Sequence, residues 1–176
     1  MTEAEIFESV TGSGSTDFAT LVGILSRHGK WCVIGGLAVN CYVEPVYTVD
    51  ADIVVVAAAL AGIKSELEQS GFTTEQFQHS LNARMPGSDL RIQLTLDPRY
   101  QEFVERAESR SVLGLKVPVA GLADVINGKI WAWSDDTRRL SKRKKDELDL
   151  IRILERYPEF RDSMPAEIRR QLEQEK

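Results

Sequence analysis

The sequence predicts an α/β (α+β) fold: a mixed β-sheet flanked by helices, with a C-terminal helical part. Three observations carry this expectation. Two short runs rich in β-branched residues, residues 31–34 and 53–56, are apolar on both faces, as strands in the middle of a sheet are. Helical periodicity alternates with them, in Phe18, Leu21, Val22 and Leu25 and again in Leu122, Val125, Ile126, Ile130 and Trp133. The turn signal Met85-Pro86-Gly87-Ser88-Asp89 joins residues 81–85 to residues 90–96 as an antiparallel hairpin. Residues 1–120 are the expected core, and residues 121–176 a helical part packed on it.

The elements follow in order. An acidic helical pattern opens the chain and runs into Thr11-Gly12-Ser13-Gly14-Ser15, which reads as a flexible turn or linker. Asp17 is placed to cap the next helix, which ends before Gly29. After the first strand, residues 37–43 read as a helix closed by Glu44-Pro45, and a second strand covers about residues 49–57. An Ala-rich helix over residues 58–70 stops at Gly71. In the second hairpin strand Ile92, Leu94 and Leu96 share one face, while Arg91, Gln93, Thr95 and Asp97 share the other. Pro98 suits the first turn of a helix over residues 98–108, and a hairpin-like pair then surrounds Gly114. Lys129 sits within the apolar helix of residues 122–133. Residues 138–145 hold six cations in eight positions and lead into a long helix, with Leu148, Ile151, Ile153 and Leu154 as its buried stripe and Pro158 as its stop. Lys142, Lys145 and Asp149 fall near one face of that helix. A last, highly charged helix follows Pro165.

A chain of 176 residues and 19.7 kDa can bury a sizeable core. Its 43% hydrophobic and 28% charged residues fit an ordinary globular protein, and a formal charge of −5 argues against a general nucleic-acid coat. Cys32 and Cys41 lie in apolar surroundings, and no Cys/His cluster has zinc spacing. No basic segment precedes an apolar core at the start, and no apolar run has the length of a membrane span. The expectation is a cytoplasmic protein with reduced thiols and no membrane partner.

The chemistry concentrates where Val33-Ile34-Gly35-Gly36 meets Asp50-Ala51-Asp52. The glycines let the backbone turn sharply from strand to helix. Asp50 and Asp52 share one face of their strand, about 6.6 Å apart along the chain. Paired carboxylates with glycine-rich backbone beside them suit divalent metal and phosphate chemistry better than a hydrophobic core.

Gly35-Gly36, thirteen residues, then Asp50-Ala51-Asp52 resembles the signature of the nucleotidyltransferase superfamily related to DNA polymerase beta. More narrowly, Thr48, Lys129 and the pair Lys145-Asp146 with Asp149 one turn on resemble the AbiEii-type toxin nucleotidyltransferases, over about residues 20–155. The resemblance implies a nucleotidyltransferase-like sheet and transfer of a nucleoside monophosphate from a nucleoside triphosphate to an acceptor hydroxyl. The acceptor would be RNA or tRNA, a protein or a small molecule, and an antitoxin would be a protein partner. It also implies Mg²⁺ held by Asp50 and Asp52, with Gly35, Gly36 and Thr48 at the nucleotide. Lys129 would act as a catalytic cation for the triphosphate, and Lys145 and Asp146 would close the nucleotide site. Two positions depart from the pattern. Gln93 stands where the family has a third carboxylate that helps bind metal and activates the attacking hydroxyl, and Val46 where it has a basic residue. An amide oxygen can ligate but takes no proton at neutral pH, and Asp97 lies about 13 Å further along the strand. An active enzyme and a binding-only relative for nucleotide or RNA are therefore both open readings.

Overall fold

The computed structural model describes residues 2–174. Its centre is a seven-stranded mixed sheet in the order β3-β4-β5-β2-β1-β7-β6. The strands are β1 (Trp31–Ile34), β2 (Asp50–Val55), β3 (Thr73–Gln76), β4 (Ser80–Arg84), β5 (Arg91–Thr95), β6 (Glu108–Val112) and β7 (Leu115–Val119). β2 runs antiparallel to β1 and parallel to β5, while β1 runs parallel to β7. Cys32, Val33, Ala51, Ile53 and Val54 are wholly buried in the two central strands, which explains why those runs carry no polar alternation beyond the aspartates. Burial pushes the Cys32 thiol up to about 12, so it stays an inert core group.

The helices are α1 (Glu3–Thr11), α2 (Gly14–Leu25), α3 (Gly35–Val39), α4 (Leu60–Gln69), α5 (Leu122–Ser134), α6 (Leu140–Arg156) and α7 (Ala166–Glu173). α2 packs on α4, and α3, α5 and α6 pack against one another. Among the described residues no helix is long and apolar enough to cross a membrane.

Several expectations change in the folded chain. The Thr11–Ser15 stretch is a tight corner and not a linker: Thr11 Oγ1 donates to Phe7 O at 2.6 Å and accepts from Gly14 N at 2.8 Å. α2 therefore begins at Gly14, and Asp17 lies inside its first turn, accepting from Ser13 Oγ at 2.8 Å instead of capping. Residues 98–104 form a 3₁₀ helix, and Glu108 already belongs to β6. The three-residue spacing of Tyr100 and Phe103 matches the 3₁₀ period and turns both rings onto Trp131, at centroid distances of 5.2 and 5.8 Å. On α6 the buried stripe is Asp146, Asp149, Leu150, Ile153 and Leu154, while Leu148 is exposed. The stripe is shifted because its first turns bury charge instead of apolar surface.

Candidate active site

The sheet places the two aspartates side by side at the start of β2. Asp52 lies in register between Ile34 on β1 and Gln93 on β5, and Asp50 lies opposite Arg91. Both Asp50 oxygens are engaged: Oδ1 is 2.8 Å from Arg91 Nε, and Oδ2 accepts from Lys142 Nζ at 2.6 Å. Burial pushes the Asp50 carboxyl up, but Lys142, Arg91 and Lys145 together hold it below the usual carboxylate range. Thr48 Oγ1 bridges two of these groups, accepting from Asp50 N at 3.3 Å and from Lys145 Nζ at 3.2 Å.

Asp52 is the contrasting case. Among the described residues its carboxylate accepts no hydrogen bond and forms no ion pair, although it is half-buried. Burial raises its proton affinity and Asp50 adds to the effect, while Lys129 opposes it from a distance. A desolvated carboxylate beside a second one is costly unless a cation joins them.

Gly35 explains how the backbone reaches this carboxylate. Its φ of +68° is a left-handed conformation, and a Cβ there would collide with Asp52 Oδ2. Gly36 is less constrained: an added Cβ would only come into ordinary contact with Thr48, 3.4 Å from its Oγ1. We expect Gly35→Ala to cost at least about 1–2 kcal/mol and to displace Asp52. Thermal melting and magnesium-dependent nucleotide binding should fall together, and loss of neither would remove Gly35 from the site.

Behind the aspartates, α5 and α6 are joined by buried charge. Lys129, 7% exposed, places Nζ 2.9 Å from Asp146 Oδ1 and 2.8 Å from Asp149 Oδ2. The contact to Asp149 is an ion pair whose angles fall short of a hydrogen bond. Arg138 Nε donates to Asp146 Oδ2 at 2.9 Å and Arg152 Nη1 to Asp149 Oδ1 at 2.8 Å. Burial alone would push the Lys129 amine down, and the two carboxylates outweigh it and raise it. Lys145, half-buried without such a pair, is pushed down by burial despite the attraction of Asp50.

Two clefts meet at Asp52. A smaller one of about 120 Å³ is lined by Gly35, Tyr100, Lys129 and Asp146, and a larger open groove of about 440 Å³ runs across β5 and β4 towards β3. Asp52, Gln93 and Arg138 line both. Of the residues singled out in the sequence, Gly35, Asp52, Lys129 and Asp146 line the first cleft and Asp50 and Asp52 the second. Gly36, Thr48 and Lys145 line neither, though Thr48 bonds Asp50 N and Lys145 Nζ beside them, and Lys129 and Asp146 are committed to each other. Lys142 and Lys145 reach Asp50 and Thr48 at the start of β2, whereas Asp149 turns to Lys129 on α5 and to Arg152 on its own helix. Sequence reasoning misses the role of Arg91 and has Arg138 only as the first of the cation run of residues 138–145. Alternation puts Arg91 on the Gln93 face, but only the parallel register of β2 with β5 sets it against Asp50.

The donor set is two carboxylates and one amide oxygen, and among the described residues no group of three His, Cys, Asp or Glu side chains could hold a metal. Hard oxygen donors in this number fit Mg²⁺, which keeps several waters and takes one or two carboxylates plus substrate phosphates. The Asp52 carboxylate, unpaired among the described residues, and Asp50 beside it are donors of that kind.

This sheet is the nucleotidyltransferase fold. The antibiotic-resistance factor ANT(2'')-Ia superposes with a TM-score of 0.56 at 14% identity, over 91% of each chain. The lincosamide antibiotic adenylyltransferase LnuA, solved with lincomycin bound, gives 0.56 at 11% identity over 78% of this chain and 96% of its own. A putative nucleotidyltransferase from Thermotoga maritima gives 0.51 at 14% identity over 84% of this chain and 92% of its own. No curated protein matches the chain by sequence. The family described as nucleotidyl transferase AbiEii toxin, type IV toxin–antitoxin system, matches residues 24–176, and the chain belongs to it. It is therefore of the nucleotidyltransferase class; α1 and most of α2 lie outside the matched region.

Proposed function

We propose that the chain transfers a nucleoside monophosphate from a nucleoside triphosphate to an acceptor hydroxyl, with Asp50 and Asp52 holding Mg²⁺. The observation that supports this most directly is the half-buried Asp52 carboxylate, without a partner among the described residues, beside Asp50 and against the backbone of Gly35. Bound Mg²⁺ supplies charge that offsets the negative triphosphate. Gly35 and Gly36 admit the phosphates close to backbone amides. Lys142 and Lys145, which hold Asp50 and Thr48, are within reach to follow the negative charge onto the phosphates. Lys129 keeps Asp146 and Arg138 in place behind Asp52 and adds positive field there. The acceptor oxygen forms a bond to the α-phosphorus as the bond to the bridging oxygen breaks, and pyrophosphate leaves with the electron pair. Gln93 cannot take the acceptor proton, which passes to water in the open groove.

A binding-only reading is favoured by the same Gln93, since a nucleotide held there without a base would not turn over. Release of labelled pyrophosphate from each of the four nucleoside triphosphates, with Mg²⁺ and total cellular RNA, separates the two. Release establishes transfer; magnesium-dependent nucleotide binding without release favours the binding protein. As a member of a toxin family the chain is proposed to act against growth and to be held by an antitoxin, so its expression should arrest growth unless Asp52 is changed. For Gln93→Glu we expect pyrophosphate release to rise by about a hundredfold, the lower range for a positioned base. An unchanged rate would mean that proton removal is not limiting.

A further inference from the structure

Beyond the donor set of Asp50, Asp52 and Gln93, the face of β3, β4 and β5 beside Asp52 carries Asn82, Arg84 and Arg91, which the nucleotide chemistry leaves unused. Register sets Gln93 beside Asp52 and Asn82 beside Gln93, making one row across the sheet. The neighbouring row, two residues along each strand and so about 6.6 Å away, holds Asp50 and Arg91. Arg84 extends this row, standing one residue beyond the Ala83–Ile92 pair and opposite Thr73 of β3. All of these residues line the open groove.

Two independent features call for a ligand here. Arg84 and Arg91 are 57% and 56% exposed and project on one face from neighbouring strands, where like charges repel. Their counter-charges are weak or shared: Asp89 is 3.7 Å from Arg84, and Asp50 serves both Arg91 and Lys142. Once the aspartates are committed to the metal, the arginines face only Glu75 among the groove's remaining acidic groups. Separately, Asn82 lines the groove, and its Oδ1, buried at the groove wall, has no hydrogen-bond partner among the described residues.

We infer that this groove is the acceptor site, and that it takes a hydroxyl-bearing molecule carrying a phosphate. Arg84 and Arg91 seat the phosphate by charge-assisted, fork-like hydrogen bonds, and the amides of Asn82 and Gln93 direct the hydroxyl towards Asp52. The spacing of the two rows fits a phosphate about 6.6 Å from the reacting hydroxyl. The arginine pair repels a polyamine acceptor. The assignment rests on the nucleotidyl transfer proposed above.

Binding is measured with the full chain in the absence of nucleotide, using ribose 5-phosphate, ribose and a short single-stranded oligoribonucleotide as probes. Ribose 5-phosphate or the oligoribonucleotide should bind and ribose should not; which of the two binds identifies a free sugar phosphate or a polymer as the source of the phosphate. Arg84→Ala removes one phosphate contact, and Thr73→Glu leaves Arg84 in place while adding a negative charge opposite it. Each should weaken the phosphorylated probe about tenfold, with magnesium-dependent nucleotide binding unchanged. For the oligoribonucleotide, Arg84→Ala should also lower the salt slope by about 0.7. If neither phosphorylated probe binds, if ribose binds equally well, or if both variants bind like the wild type, the acceptor site is wrong. Because pyrophosphate release is not read, a chain that binds the probe but never turns over would keep this site and lose the transferase reading.

Discussion

Replacing Asp50 and Asp52 together by alanine should lower pyrophosphate release by about a thousandfold or more, with the fold retained. The size follows from removing both carboxylates that would hold the metal, when the loss of one electrostatic group at a transition state already costs about a hundred- to a thousandfold. The single variants should separate in stability, because the two carboxylates have opposite surroundings. Asp50 satisfies Lys142 and Arg91 at 2.6 and 2.8 Å, so Asp50→Ala leaves two cations without their shared partner. Asp52 has no such partner among the described residues, so Asp52→Ala removes a desolvated charge that opposes folding. In metal-free buffer we expect Asp50→Ala to melt below the wild type and Asp52→Ala at or above it, with both inactive. A site that gives up stability for binding behaves in this way. If Asp52→Ala were the strongly destabilised variant, the carboxylate would be a structural group and the metal assignment would fall.

How much of this was legible before folding differs from residue to residue. The aspartate pair and the Gly-Gly turn were legible because they rest on local rules: alternation along a strand fixes which face each aspartate takes, and only glycine accepts the φ of Gly35 without strain. The β4–β5 hairpin was legible for the same reason, through its turn residues. The β6–β7 turn at Leu113 and Gly114, with φ of 49° and 81°, is equally local. Pairings between distant segments were not legible. Arg91 meets Asp50 through the parallel register of strands about 40 residues apart in sequence, and a pattern of periods holds no information on register between separate segments. The 3₁₀ segment at residues 98–104 differs from the expected α-helix, and its rings pack on Trp131 of a later helix, a tertiary contact that local propensity does not contain. The shifted stripe of α6 was misread because apolar periodicity is blind to charges that become buried through partners on another helix.

Lys129 makes that last point measurable, and Lys129→Met is the variant with the largest expected effect on stability. Its ammonium is the cation shared by Asp146 and Asp149, both 2% exposed at the side chain. Removing one partner of a buried ion pair costs about 3–5 kcal/mol, because the remaining charges stay desolvated. Arg138 and Arg152 still reach the outer oxygens of the two aspartates, so we expect the lower end, about 3 kcal/mol, or a fall in Tm on the order of 10 °C. The sign with pH follows from the raised proton affinity of Lys129. A folded-state pKa above the ordinary 10.5 gives stability that is complete below that value and is lost as pH rises through the folded-state value, so the tether holds across the neutral range. Replacing the carboxylates as well, in Lys129→Met/Asp146→Asn/Asp149→Asn, should recover part of the lost Tm by removing the stranded charges. Turnover of Lys129→Met, measured well below its Tm, should fall less than that of the double aspartate variant, because Lys129 is held in two buried ion pairs and acts on the site only through its field behind Asp52. An unchanged Tm with abolished turnover would reverse the assignment, making Lys129 a catalytic cation and its buried pairs a resting arrangement that substrate breaks.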